Sequence, residues 1–298
     1  MANYLCIDIG GTAIKYAQSD EKGKLEKVAS CPTPDSLSGL LSKVQTLASE
    51  RATNISGVAI SMPGLLDSET GHIVHGGALT YLEDINIRQL FRDRLPGIPL
   101  HIENDGKCSA IGEKQFGELQ GIENGVVLVF GTGVGGGIII NNQLVKGANL
   151  SAGEFSFIRT NPMTSAYHDF FAMQGSVRVL IKNYQELSGC DQPITGEQFF
   201  EKIKEGNELA LKLFDDYTKK ISQQLFNIQT MLDPEVIVIG GGVSQQTILI
   251  DALEAKLVEE VSKFPIPLIK PQIRQSKLGN QANLLGALAN FLEKEQLV

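Results

Sequence analysis

The feature that most constrains the fold is a glycine-rich stretch at residues 126–141, "VVLVFGTGVGGGIIIN". Gly131, Gly133 and Gly136 have the GxGxxG spacing of a dinucleotide-binding Rossmann turn. A Rossmann turn must be followed by a helix, because the N-terminus of that helix binds the pyrophosphate. Here isoleucines follow the glycines, and β-branched residues favour a strand. The stretch therefore predicts a β-hairpin instead of a Rossmann unit.

A second glycine turn lies near the N-terminus, in "DIGGTAIK" at residues 8–15. Neither turn has the Gly-Lys pair followed by Ser or Thr that a Walker loop requires. A hairpin turn without side chains lets backbone N–H groups approach an anion closely, although glycines can also simply permit a tight turn. Five glycines within residues 131–137 favour the first interpretation. Two such hairpins predict that the chain binds a polyphosphate.

Short β-branched runs alternate with amphipathic helical stretches along the chain, which predicts an α/β fold. The last strand should begin after Pro234, because a proline ring cannot continue a helix. We expect strands at 4–9, 57–62, 99–104, 125–130, 136–141 and 235–242, and helices at 37–50, 107–117, 170–187, 207–231, 247–263 and 282–294.

The order of strand, glycine turn and strand occurs twice, once from residue 4 and once from residue 126. This weak internal repeat predicts two lobes that each begin with the same device and flank a cleft. We expect an N-terminal lobe at 1–118, joined by the C-terminal helix at 282–298, and a second lobe at 119–281.

Composition excludes several classes of partner. The 298 residues include 34 acidic and 26 basic ones, a net charge of −8 without a basic run, which argues against nucleic acid. The N-terminus lacks the pattern of a signal peptide, and no apolar run reaches the ~18 residues of a membrane helix. We therefore expect a cytoplasmic protein without a membrane partner. Cys6, Cys31, Cys108 and Cys190 lack CxxC spacing and are predicted to be buried free thiols.

Asn104 and Asp105 follow directly after the predicted strand at 99–104. The carboxyl ends of strands in α/β folds are where ligands bind, so both side chains are candidates for chemistry. Asp105 could instead be only the N-cap of the helix that begins near Lys107. The spacing of these residues leaves both interpretations open.

The sequence resembles the ROK family in five blocks: "DIGGTAIKYA" at 8–17, "AISMPGLLD" at 59–67, "IENDGKCSAIGE" at 102–113, "GTGVGGGIIINNQLVKGANLSAGE" at 131–154 and "VIGGGVS" at 238–244. This family contains sugar kinases and sugar-responsive repressors with the actin-like, ribonuclease H-like ATPase fold. The resemblance implies an ATP-dependent kinase that phosphorylates the 6-hydroxyl of a hexose and works as a homodimer.

The resemblance also implies a role for individual residues. Asp105 would be the catalytic base, and Asp8 would face Mg²⁺, through water. Sugar contacts would come from Asn104, Asp105, Glu154, Gly64 and Gly77. Backbone contacts to ATP would come from Gly10, Gly11, Thr12, Gly131, Thr132, Gly133 and Gly135 at the phosphates, and from Gly240, Gly241 and Gly242 beside the nucleoside.

This chain departs from the zinc-containing members of the family. Phe157 occupies the position of their histidine, and residues 161–176 contain no cysteine, so no structural zinc is predicted. His168 is expected to be an ordinary histidine. With Phe155 and Phe157 offering apolar surface, the site should tolerate a substituted sugar such as a β-glucoside or N-acetylmannosamine. The alternative is a glucokinase that acts on free glucose.

A different class of function is a ROK-type transcriptional regulator that responds to a sugar. Such regulators have a winged DNA-binding segment before the first strand. The first strand here runs directly into the glycine turn at residues 10–12, so we expect no such segment, and Asp105 is present. The sequence therefore favours the kinase.

Overall fold

The computed structural model of the chain describes residues 3–51, 55–161, 163, 166–190 and 192–297. Thirteen strands and nine α-helices occur within these residues, with four short 3₁₀ helices between them. The strands are β1 Tyr4–Ile9, β2 Ala13–Ser19, β3 Leu25–Pro32, β4 Gly57–Met62, β5 Leu65–Leu66, β6 His72–His75, β7 Glu83–Asn86, β8 Leu100–Asn104, β9 Gly125–Phe130, β10 Val134–Ile140, β11 Gln143–Leu144, β12 Val236–Gly240 and β13 Ile273–Gln275. The helices are α1 Leu37–Arg51, α2 Ile87–Arg94, α3 Asp105–Phe116, α4 Phe171–Gln174, α5 Val177–Ser188, α6 Gly196–Lys204, α7 Glu208–Leu232, α8 Thr247–Ser262 and α9 Ala282–Lys294.

The two five-stranded sheets have the same topology. The first has the order β3-β2-β1-β4-β8, and the second has the order β11-β10-β9-β12-β13. In each sheet a hairpin of antiparallel strands is continued by parallel strands, β4 and β8 in the first and β12 and β13 in the second. The internal repeat predicted from the glycine turns is therefore present as a repeat of sheet topology. A separate three-stranded sheet, β5-β6-β7, was not predicted.

The chain divides into two compact units. The first comprises Met1–Gln120, Leu144–Gly153 and Asn280–Val298, and the second comprises Gly121–Gln143 and Glu154–Gly279. The first unit thus includes the segment 144–153, which lies within the second lobe expected from the sequence. Each unit contains one five-stranded sheet and one glycine hairpin.

Helix α9 packs against α3 and against β1, β4 and β8 within the first unit. The two helices approach closely because glycines face the crossing. A Cβ atom on Gly286 would lie 1.7 Å from the Cys108 carbonyl oxygen, and one on Gly112 would lie 2.6 Å from that of Ala282. The C-terminal helix is thereby held against the helix that begins with Asp105.

Most predicted helices are confirmed, with two instructive differences. The stretch at 170–187 is two helices, because Gly175 ends α4 and Ser176 caps α5, its Oγ accepting from Val179 N at 3.1 Å. Helices α2 and α6 are short and were not predicted. Along the described residues, no helix is long and apolar enough to cross a membrane.

The cysteines are free thiols, as expected, but only half of them are buried. Cys6 and Cys108 lie in the core of the first unit, whereas Cys31 and Cys190 are partly exposed. The prediction of buried thiols is therefore wrong for Cys31 and Cys190. Burial raises the pKa of Cys6 to about 12, so this thiol stays protonated and unreactive.

Candidate functional site

The turn between β1 and β2 is tightly packed. A Cβ atom on Gly10 would lie 2.9 Å from the Ala13 carbonyl oxygen, and one on Gly11 would lie 2.8 Å from the Ala78 Cβ. Thr33 binds two carbonyl oxygens of the turn, with its Oγ1 donating to Gly10 O at 2.7 Å and its N–H to Thr12 O at 3.1 Å. Gly11 and Thr12 remain exposed to solvent. The packing fixes the carbonyl groups of the turn and leaves its tip open.

The turn between β9 and β10 is held in a similar way but is less crowded. Its carbonyl groups bind the start of α5: Val177 N donates to Gly131 O at 3.0 Å, and Ser176 Oγ donates to Thr132 O at 2.6 Å. A Cβ atom on Gly131 would meet nothing within 4 Å, and one on Gly133 would meet only Ser156 Oγ, at 3.6 Å. Packing therefore does not require glycine at either position.

The glycines at the end of β12 lead into a short 3₁₀ helix, Gly242–Gln245. Gly241 has a φ of +87°, and a Cβ atom there would lie 2.2 Å from the Phe130 carbonyl oxygen. Its own carbonyl oxygen accepts from Ser244 Oγ at 2.8 Å. Glycine is required at 241 by the left-handed conformation as well as by packing.

Asp8 is buried near the end of β1, where it belongs to a polar network. Its Oδ1 accepts from Ser61 Oγ at 2.8 Å and from Asn283 Nδ2 at 3.1 Å. Asn283, from α9, in turn accepts from Ser109 Oγ at 2.5 Å. Burial raises the pKa of Asp8 above its usual value, although the hydrogen bonds from Ser61 and Asn283 favour the ionised form. Both of those hydrogen bonds use the same oxygen of the carboxylate.

The structure brings Gly64, Gly77 and Asn104 together. Asn104 Nδ2 donates to Gly64 O at 2.9 Å, and a Cβ atom on Gly77 would lie 3.4 Å from Gly64 N. Both glycines have positive φ, +104° at Gly64 and +59° at Gly77. These three predicted sugar-site residues therefore share one corner of the first unit, at the carboxyl end of β8.

Asp105 is the first residue of α3, but it is not the N-cap. That role belongs to Asn104, whose Oδ1 accepts from Lys107 N at 3.0 Å. The alternative of Asp105 as a capping residue is therefore wrong. Asp105 is half-buried, and its Oδ1 accepts from Gly106 N at 2.8 Å. Its carboxylate lies in the first helical turn, where the helix dipole favours negative charge.

An ion pair that the sequence did not predict lies beside these residues. Glu103 is 1% exposed, and its Oε2 lies 3.3 Å from Lys146 Nζ. Lys146 also donates to Ser68 Oγ at 2.6 Å and lies 3.5 Å from Glu69 Oε1. Glu103 follows Ile102 within a predicted buried strand, and this position could have indicated a buried charge. Nothing in the sequence identified Lys146 as its partner.

In the second unit, Glu154 precedes the 3₁₀ helix Phe155–Phe157 and is partly exposed. Phe155 is 5% exposed, and a Cβ atom on Gly136 would lie 2.8 Å from its ring. Phe155 is thus a core residue of this unit, and the expectation that it offers apolar surface to a ligand is wrong. Phe157 is 60% exposed and does offer such a surface.

Among the described residues, no three His, Cys, Asp or Glu side chains converge as the ligands of a metal ion would. His168 is exposed, and its Nε2 lies 3.5 Å from Asp169 Oδ1. Asp8 is the carboxylate that precedes the first glycine turn, two residues before Gly10. Mg²⁺ is suited to such a site, because it keeps several waters and is commonly bound by one or two carboxylates plus the phosphates of a substrate.

Comparison with known proteins gives consistent matches over nearly the whole chain. A β-glucoside kinase from Listeria monocytogenes is 31% identical over 293 residues, which cover 97% of each chain. A ROK family protein from Streptococcus pneumoniae, solved in complex with sucrose, superposes with a TM-score of 0.88 at 30% identity and covers 99% of this chain and 100% of its own.

A ROK family glucokinase from Streptomyces griseus, solved with glucose and AMPPNP, has a TM-score of 0.85 at 23% identity, and the match covers 96% of this chain and 98% of the other. At that identity the similarity shows the fold alone. The fold of this chain is that of the ROK sugar kinases, the actin-like ATPase fold. Since the ROK family model matches residues 4–294, we conclude that the chain belongs to the ROK family.

Proposed function

We propose that this protein is an ATP-dependent sugar kinase that transfers the γ-phosphate of ATP to the 6-hydroxyl of a hexose. The observation on which the proposal depends is the arrangement at the end of β8. Asn104 caps α3 and binds Gly64, and Asp105 follows it as the first residue of the helix, at the carboxyl end of a strand, where α/β folds bind ligands. Kinase relatives that match the chain over almost its full length support the assignment.

In the proposed reaction, Asp105 accepts the proton of the sugar hydroxyl as the hydroxyl oxygen attacks the γ-phosphorus. A new O–P bond forms, the bond between the γ-phosphorus and the bridging oxygen breaks, and ADP leaves with that electron pair. General base catalysis of this kind contributes on the order of 10²–10⁴ in rate. The remainder comes from positioning and from neutralisation of charge on the phosphates.

The turns at Gly10–Thr12 and Gly131–Gly135 are proposed to contact the phosphates of ATP, and Gly240, Gly241 and Gly242 to lie beside the nucleoside. The exposed tip of the first turn and the open space at Gly131 and Gly133 support this role. Mg²⁺ would neutralise charge on the phosphates, and Asp8 would hold it through water. Asp8 suits the role because its hydrogen bonds to Ser61 and Asn283 both use Oδ1.

We propose a substituted hexose, a β-glucoside or N-acetylmannosamine, as the substrate, with Glu154, Asn104, Gly64 and Gly77 as its contacts. Phe157 supports this choice, since its exposed ring provides an apolar surface where the zinc-containing members of the family have a histidine. The name of the Listeria relative, a β-glucoside kinase, agrees with it. Free glucose is the competing substrate.

The test is ADP release with cellobiose, N-acetylmannosamine and glucose, followed by NMR of the product to locate the phosphate. We expect the highest kcat/KM on a substituted sugar and a phosphate on O6. Asp105→Asn should lower kcat by about 10²–10⁴-fold without unfolding the protein. A strong preference for free glucose would contradict the substrate assignment while leaving the kinase intact.

Asp93→Asn is the matched control, because Asp93 is an exposed residue of α2 that accepts a hydrogen bond from Gln89. The same chemical change there should leave kcat unchanged. If Asp105→Asn retained the wild-type rate, Asp105 would not be the base.

A further inference from the structure

Glu103 is an unexpected residue for its place in β8. Its strand neighbours Leu100 and Ile102 are fully buried, and Glu103 itself is 1% exposed. Within the described chain, its Oε2 is buried without a hydrogen bond, while its Oε1 accepts from Asn104 N at 2.8 Å. Burial of a carboxylate costs several kcal/mol unless an opposite charge offsets it. Replacement of a buried ion pair by apolar side chains is often neutral or stabilising, so stability alone does not explain a glutamate at this position.

The offsetting charge comes from Lys146, in the segment 144–153 of the first unit. Its Nζ lies 3.3 Å from Glu103 Oε2 and 3.5 Å from Glu69 Oε1. Burial alone would lower the pKa of Lys146, but the two glutamates outweigh that effect and raise it. Lys146 is therefore a cation at neutral pH.

Lys146 also connects β8 to the turn between β5 and β6. It donates to Ser68 Oγ at 2.6 Å, and Ser68 follows β5 in the chain. The residue before β5 is Gly64, whose carbonyl oxygen accepts from Asn104 Nδ2. The end of β8 is thus held to the β5 region twice, directly through Asn104 and indirectly through Glu103 and Lys146.

We infer that Lys146 and Glu103 are a positioning pair that sets the orientation of Asn104 and Asp105 toward the sugar. The inference rests on the proposed function and identifies further residues of the same site. Neither side chain of the pair is assigned a contact with substrate. The pair acts through the backbone of β8, because Glu103 binds the N–H of Asn104 and directly precedes the proposed sugar-binding residue and base. A misplacement of about 1 Å at such a site costs about 10²-fold in rate.

Lys146→Met tests the pair. We expect kcat/KM for the sugar to fall by about 10- to 100-fold, with a higher KM for the sugar and a KM for ATP within about twofold of wild type. Lys146→Arg keeps the cation and should retain most of the activity. Lys24→Met is the matched control, since Lys24 pairs with Glu26 on the surface at 3.1 Å and should show no change. Wild-type kcat and sugar KM in folded Lys146→Met would overturn the inference.

The double variant Glu103→Gln/Lys146→Met separates positioning from stability, and it serves if Lys146→Met alone does not fold. It leaves no unpaired buried charge, so its melting temperature should return toward that of wild type. A positioning pair predicts that kcat/KM for the sugar stays low in this variant. Recovery of both melting temperature and kcat/KM would show that the pair only stabilises the fold, and would overturn the inference.

Wild type and Asp105→Asn are measured in parallel. A wild-type protein that phosphorylates none of the sugars overturns the proposed function and, with it, this inference. The inference of a positioning pair alone is overturned if wild type is active, Asp105→Asn is inactive and the Lys146 variants match wild type.

Discussion

The two glycine hairpins resemble each other in sequence and topology but differ in why they need glycine. In the β1–β2 turn, a methyl group on Gly10 would lie 2.9 Å from a backbone oxygen, so internal packing explains the residue. A methyl group on Gly131, the corresponding first glycine of the β9–β10 turn, would meet nothing within 4 Å. Packing within the described chain therefore does not explain glycine at 131, and the proposed contact with phosphate would explain it.

The hairpins also differ in charge. Asp8 stands two residues before Gly10, whereas Val129 stands two residues before Gly131. Only Asp8, in the first hairpin, supplies a carboxylate at this position, and Ser61 and Asn283 hold it in place. We propose a division of roles, in which Mg²⁺ would be held beside the first turn and the backbone of the second turn would contact phosphate.

Among substitutions in the two hairpins, the largest effect is expected for Asp8→Asn. Removal of the charge that would hold Mg²⁺ should lower kcat by about 10²-fold or more. Steady-state ADP release at saturating Mg²⁺ and ATP measures it. A variant with wild-type kcat would remove Asp8 from the site and erase the difference in charge between the two hairpins.

The same substitution should raise stability in the absence of Mg²⁺. Because burial raises the pKa of Asp8, the folded state binds this proton more tightly than the unfolded state does. The free energy of unfolding therefore falls as the pH rises from the pKa of Asp8 in the unfolded state through its pKa in the folded state. The loss persists at pH 7. Asp8→Asn avoids that loss. Urea unfolding should therefore show that the variant is more stable than wild type at pH 7, and no more stable than wild type at a pH below the pKa of Asp8 in the unfolded state. An equal advantage at both pH values would contradict the explanation.

The second largest effect is expected for Gly10→Ala. Its methyl group would press on the Ala13 carbonyl oxygen, a backbone atom that cannot move away cheaply. Overpacking of this kind costs about 1–3 kcal/mol in the free energy of unfolding, which urea denaturation measures. A variant as stable as wild type would show that packing does not require glycine in the first turn.

The smallest effect is expected for Gly131→Ala, the matched substitution in the second turn. Its methyl group has room, so the free energy of unfolding should change by less than about 1 kcal/mol. The methyl group would keep the backbone away from a phosphate, and we expect the KM for ATP to rise about tenfold, about 1.4 kcal/mol. Loss of stability comparable to that of Gly10→Ala, or an unchanged KM for ATP, would break the contrast between the hairpins.

Prediction from sequence succeeded where the signal was local and periodic. The strands around both glycine turns and the long helix α7 were found, because alternating and helical patterns of apolar residues extend over enough positions to be distinctive. Short elements such as α2 and the sheet β5-β6-β7 were missed, since a few residues give no reliable period.

The side-chain environments were harder to predict. Phe155 and Phe157 are two residues apart and chemically identical, yet Phe155 is buried in the second unit and Phe157 is exposed. The capping of α3 had two adjacent candidates, and the hydrogen bond from Lys107 N shows that Asn104 is the cap. The spacing of the residues in the sequence predicts neither result.

The sequence by itself determined the fold class, the repeated glycine hairpins and the family, because these depend on motifs and periods that neighbouring residues define. Only the tertiary structure decided which buried charges meet. Lys146 and Glu103 are far apart in the chain, and so are Asn283 and Asp8, so each pair forms only when the fold brings distant segments together. The physical reason is that the free energy of burying a charge depends on its surroundings. Many residues that are distant in the chain create those surroundings together, including the opposite charge that stabilises the buried one.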